Sequence, residues 1–105
     1  MKNSIYDTGT EATLIEKFNS YSSPCEESNA LLVYLWEKNL PFITGQCRQY
    51  FATSSYINYE DIIQECFLTF LDVIRTYDPV RGKLTTALFR PLQHTFINYV
   101  AGTYN

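Results

Sequence analysis

Residues 58–83 read NYEDIIQECFLTFLDVIRTYDPVRGK, a helix with a marked start, a marked stop and one anomaly on its surface. Asn58 suits the N-cap, where its side-chain oxygen accepts a backbone N–H of the first turn, and Glu60 and Asp61 follow where the helix dipole favours negative charge. Asp78-Pro79 and Arg81-Gly82 end it, because the residue before proline is pushed out of helical geometry and glycine tolerates positive φ. These signals predict a helix over 59–76. At about 100° per residue, Ile62, Ile63, Cys66, Phe67, Phe70, Leu71, Val73, Ile74 and Tyr77 share one half of the circumference, the core half. Asp61, Gln64, Glu65, Thr69, Asp72 and Arg75 fill the other, with Leu68 alone among them. An apolar anchor ringed by polar groups has the make-up of a partner contact, although single exposed leucines are also ordinary.

The chain has 105 residues, enough for one domain with a modest core, and its 46% apolar and 16% aromatic content argues for a folded chain. It contains neither an apolar run of bilayer-spanning length nor an apolar signal core near Met1, so the expected location is the cytoplasm, with no membrane partner. Cys25, Cys47 and Cys66 are far apart with no C-x-x-C pair, which predicts reduced, mostly buried thiols. The net charge of −3 is unevenly spread. Up to Asp72 four Lys/Arg face ten Asp/Glu; from Val73 onward Arg75, Arg81, Lys83 and Arg90 face only Asp78. An acidic front and a mildly basic back suit a protein that meets two different partners. Four cations are nonetheless a thin footprint for DNA, where phosphate neutralisation supplies most non-specific affinity.

Residues 1–22 read as an N-terminal leader containing a short helix from Glu11 to Asn19, with Thr10 as its cap. Residues 23–105 read as the helical domain. Ser23-Pro24-Cys25-Glu26 offers Ser at the N-cap, Pro at the first helical position and Glu three residues after the cap. Leu31, Leu32, Leu35 and Trp36 form the apolar stripe that follows. A bend is expected at Pro41, which removes an intrahelical bond, and Phe42, Ile43, Cys47, Tyr50 and Phe51 continue the stripe to about Ala52. Tyr56 and Tyr59 are candidate surface groups near the next loop. A last helix is predicted over 85–101, kinked or restarted at Pro91 and ended by Gly102. Leu84, Leu88, Phe89, Leu92, Phe96, Tyr99 and Val100 fall on its core side, with Thr86, Arg90, His94 and Asn98 on the other at i+4 spacing. The fold class is all-α, a compact bundle of three to four helices.

The run Glu60-Asp61-Ile62-Ile63-Gln64-Glu65-Cys66-Phe67-Leu68, followed by Tyr77-Asp78-Pro79 and Gly82, resembles region 2 of bacterial RNA polymerase sigma factors, especially the extracytoplasmic-function type. The likeness reaches Leu35-Trp36-Glu37-Lys38 and Pro41 upstream, and Thr86, Leu88, Phe89, Arg90, Ile97 and Tyr99 downstream. It implies that Asp61, Gln64, Glu65 and Leu68 dock on the clamp helices of the largest subunit of core RNA polymerase. It also implies that the last helix faces the promoter, holding the melted non-template strand of the minus-ten element. Arg81, Lys83, Thr86, Arg90, His94 and Asn98 are the candidates there, Thr86 and Arg90 matching the family pattern directly. Ala87 stands where the family often has tryptophan, and Ala101 where it has an arginine.

No catalytic set is visible: His94, the sole histidine, has no Ser or Cys partner that spacing can place beside it, and no cofactor or metal is implied. The reading is a non-enzymatic region 2 module without the minus-35-binding domain. Three accounts fit it: an excised region of a longer factor, one half of a split factor whose second subunit supplies a helix-turn-helix domain, or a polymerase-binding adaptor without direct DNA recognition. An anti-sigma protein is a further candidate partner.

Overall fold

A computed structural model describes residues 11–52 and 57–104, with side chains described as far as Gly102. Thr10 and Tyr56 lie outside the described residues. Four α-helices follow one another, α1 (Glu11–Asn19), α2 (Glu26–Tyr50), α3 (Tyr59–Thr76) and α4 (Leu84–Tyr104), with one 3₁₀ turn, Pro79–Arg81, before the last. No strand occurs among the described residues, and the all-α class holds. The chain divides into two compact units between Asn39 and Leu40, a point inside α2.

In the first unit Leu14, Ile15, Leu31 and Leu35 are buried. The buried Asn39 amide donates to the Glu11 carboxylate and to the Leu35 carbonyl, both at 2.8 Å, so a polar side chain inside the fold keeps its partners. The start of α2 differs from expectation. The cap is Cys25, not Ser23: the Cys25 backbone N–H donates to the Ser28 hydroxyl at 2.9 Å, and the Ser28 N–H points back at the Cys25 sulfur at 3.5 Å. This reciprocal box satisfies two donors of the first turn, and it moves the helix start two residues past Pro24.

The second unit is built on two buried ridges. Ile62, Cys66, Phe70 and Ile74 on α3, and Leu84, Leu88, Leu92 and Phe96 on α4, are buried at every fourth residue. Ile43 and Cys47 of α2, and Phe51 just after its end, join this core. Phe51 meets the Phe96 ring edge-on at 5.5 Å between centroids and Tyr99 at 6.3 Å. Burying a Phe, Leu or Ile side chain contributes about 1.5–3 kcal/mol, so these ridges carry most of the unit's stability. Asn58 caps α3 as expected, accepting from the Asp61 N–H at 3.2 Å, and the helix ends at Thr76. Both long helices run through their prolines without a break, and α4 also runs through Gly102, so the expected restart at Pro91 and stop at Gly102 do not occur.

Phe89 is corrected from core to surface. It is 48% exposed, because it sits 100° around the helix from Leu88, beyond the narrow buried ridge. Cys25 is likewise exposed, whereas Cys47 and Cys66 are buried. Hydrogen bonds from Ser28, above all its backbone N–H, hold the Cys25 thiol pKa below the usual value. Burial pushes Cys66 up to about 12, assisted by neighbouring Cys47 and Glu65. The thiolate is the nucleophile, so an alkylating reagent should label Cys25 first, with a pH midpoint below that of an ordinary thiol. Cys66 should stay unlabelled until the fold opens; peptide mass spectrometry over time reads both, and early labelling of Cys66 would contradict the burial.

Candidate functional site: two faces of α3 and α4

Because every fourth residue of α3 is turned into the core, Asp61, Glu65, Leu68 and Asp72 fall together on another face. They line one wall of a groove of about 550 Å³. The other wall is α4, from Thr95 through Asn98 and Tyr99 to Gly102. Leu68 is 56% exposed, and three carboxylates line the groove with it. Gln64 is exposed one step further around α3 and does not line the groove. At the bottom the Thr69 and Thr95 hydroxyls lie 2.5 Å apart. Each hydroxyl has one hydrogen, so one donates across the groove while the other bonds a carbonyl of its own helix, Glu65 or Pro91.

The turn between α3 and α4 is tied at both ends. The Asp78 carboxylate accepts from the Val80 N–H at 3.0 Å, and the Tyr77 hydroxyl donates to the Gly82 carbonyl at 2.7 Å. Gly82 has φ 142° and ψ −176°, a conformation open essentially to glycine alone. The turn therefore presents Arg81 and Lys83 from a fixed frame. Both line a cleft of about 310 Å³ with Tyr77, Asp78, Thr86 and Ala87. A broader depression on the other side of Thr86 and Ala87 is lined by Phe42, Thr85, Phe89 and Arg90.

The structure thus brings Asp61, Glu65 and Leu68 together, and separately Arg81, Lys83 and Thr86, with Thr86 also beside Arg90. His94 is exposed on α4 but lines none of these three surfaces. Asn98 was grouped by its spacing with Thr86 and Arg90; it stands instead in the groove with Leu68. Sequence reasoning missed Phe42, Phe89 and the α4 wall of the groove. The i, i+4, i+7, i+11 spacing of Asp61, Glu65, Leu68 and Asp72 was available as a signal for the first wall; nothing local marked the second.

Among the described residues no three His, Cys, Asp or Glu side chains gather as metal ligands, and no helix is long and apolar enough to cross a membrane. One described surface is thus acidic and apolar, and a separate one carries Arg81 and Lys83. Residues 35–103 match the family model described as Sigma-70 region 2, and the chain belongs to that family. It is a sigma factor domain, of a class that binds core RNA polymerase and promoter DNA in transcription initiation. No curated protein and no solved structure matches the chain significantly.

The tied turn makes a prediction about stability. Gly82→Ala meets no steric obstacle, since nothing lies within 4 Å of an added Cβ. Its cost is the backbone conformation alone, about 1–3 kcal/mol. Thermal denaturation should show that loss, and an unchanged melting temperature would mean that the turn relaxes freely.

Proposed function

We propose that this domain docks on the clamp helices of the largest polymerase subunit through Asp61, Gln64, Glu65 and Leu68, and holds the minus-ten non-template strand on the turn and α4. The observation that carries the reading is the separation of the two faces. The residues around Leu68 include three carboxylates, while Arg81 and Lys83 rim a different cleft that shares no residue with the groove. Arg81, Lys83 and Arg90 would neutralise phosphates. The cleft beside Thr86 and Ala87 would take an extruded base, with Ala87 leaving room where the family often carries tryptophan. His94, exposed on α4, would meet the strand further along. The chemistry is binding and strand capture, with no covalent step. On this reading the domain is of the extracytoplasmic-function type, which its motif resembles, and a second subunit bearing a helix-turn-helix, or an anti-sigma protein, would be further partners.

A second reading keeps the docking face and drops DNA recognition. It is favoured by the charge of α4, which has no Lys or Arg after Arg90.

Two experiments separate these. Replacing Gln64 and Leu68 by Ala removes contacts from an exposed face and should weaken binding of core polymerase about tenfold or more with helicity unchanged; unaltered affinity would remove the docking site. Arg90→Ala should reduce crosslinking of the assembled complex to single-stranded minus-ten DNA, and should flatten the salt dependence of strand binding by about one phosphate contact. Equal crosslinking would favour the adaptor.

A further inference from the structure

The groove beside Leu68 has a second wall, which the α3 motif does not contain. We propose that the polymerase-docking site is this two-helix groove, with Asn98 and Gly102 of α4 as functional parts of it. Its occupant is a polymerase segment that sets Lys or Arg side chains around aliphatic ones. The inference rests on the docking reading above and extends it to residues outside the α3 run.

Charge complementarity identifies the occupant. Asp61, Glu65 and Asp72 are all acidic, and no Lys, Arg or His is among the groove's lining residues. A nucleic acid strand would place phosphates against three carboxylates, which like-charge repulsion opposes. A single cation is also a poor fit, since the carboxylates do not gather as a metal site. A helix bearing basic and aliphatic residues satisfies both features, with its apolar side chains on Leu68 and its cations on the surrounding carboxylates.

Gly102 makes the wall testable. It is exposed in the last turn of α4. An added Cβ there would meet nothing within 4 Å. The fold thus leaves room for a side chain at this position, and with glycine there a partner seated in the groove gains close approach to the backbone. Asn98, exposed one turn earlier, offers an uncharged polar group on the same wall.

The test measures core RNA polymerase binding to the full chain by interferometry, with Leu68→Glu, Gly102→Ala, Gly102→Leu and Asn98→Arg, and strand crosslinking of each assembled complex. Leu68→Glu and Gly102→Leu should each weaken polymerase about tenfold or more, Asn98→Arg should weaken it by placing a cation among the carboxylates, and Gly102→Ala should bind as wild type. Gly102→Leu should melt no lower than wild type; if it does, Asn98→Arg decides. Loss with Leu68→Glu but wild-type affinity for both Gly102→Leu and Asn98→Arg would overturn the second wall and leave α3 docking intact. Wild-type affinity for Leu68→Glu as well would overturn both. Altered strand crosslinking by the α4 variants with polymerase affinity unchanged would assign the wall to DNA and overturn the inference equally.

Discussion

Along α3 the side chains of Ile62, Cys66, Phe70 and Ile74 are wholly buried at every fourth position, and along α4 Leu84, Leu88, Leu92 and Phe96 are buried in the same rhythm. Packing one ridge against the other removes eight side chains from water, and at about 1.5–3 kcal/mol for a large aliphatic or aromatic group no surface feature of the domain competes with it. The ridges also decide what remains outside. Once Ile62 and Cys66 point inward, Asp61, Glu65, Leu68 and Asp72 have no alternative but a shared outer face. Once Leu92 and Phe96 are inward, Asn98 and Gly102 stand across from them. The acidic groove is thus a by-product of core register, and a slip of one residue in either helix would dissolve it.

The turn between the ridges has a matching role. A flexible connection would let Arg81 and Lys83 sample many positions, and any strand they bound would have to be ordered at the expense of that freedom. Asp78 capping the Val80 N–H, Tyr77 bonding the Gly82 carbonyl, and the glycine-only backbone at Gly82 remove the freedom in advance. Three separate constraints on the six residues 77–82 are more than chain reversal needs. Their consequence is that the cations leave the end of α3 and enter α4 at defined places beside Thr86.

The parts of this arrangement legible in the sequence are those set by short-range chemistry. Asn58 as cap, the 59–76 span and the exposure of Leu68 follow from capping, dipole and periodicity, all local. Ser23 was the better-looking cap on residue preference, yet Cys25 holds the position because Ser28 reaches back to it. Pro91 and Gly102 are helix breakers by propensity; the buried ridge of α4 flanks Pro91 and outweighs its local cost of about 3 kcal/mol, whereas Gly102 falls in the last turn, where little helix remains to be broken. Phe89 was misplaced because a half-circumference is wider than the ridge that is actually buried. The second wall of the groove was illegible for a different reason: it comes from the pairing of α3 with α4, and no window along the chain contains both.

The charge distribution bears on how such a domain would work. Its four cations after Val73 are a thin footprint for DNA in free solution at physiological salt, since affinity falls steeply with each phosphate contact not made. Docking changes the arithmetic. A domain fixed on polymerase meets the promoter strand at an effective concentration set by geometry, so a weak strand contact becomes sufficient. The acidic front would then have a second consequence: Asp61, Glu65 and Asp72 would repel free nucleic acid from the groove until the proposed basic partner covered them. Under the proposed function the weak basic face and the strong acidic face are therefore complementary, because a domain that gripped DNA alone would be sequestered before it met the polymerase, whereas one that docks first carries its few cations to the strand they are to hold.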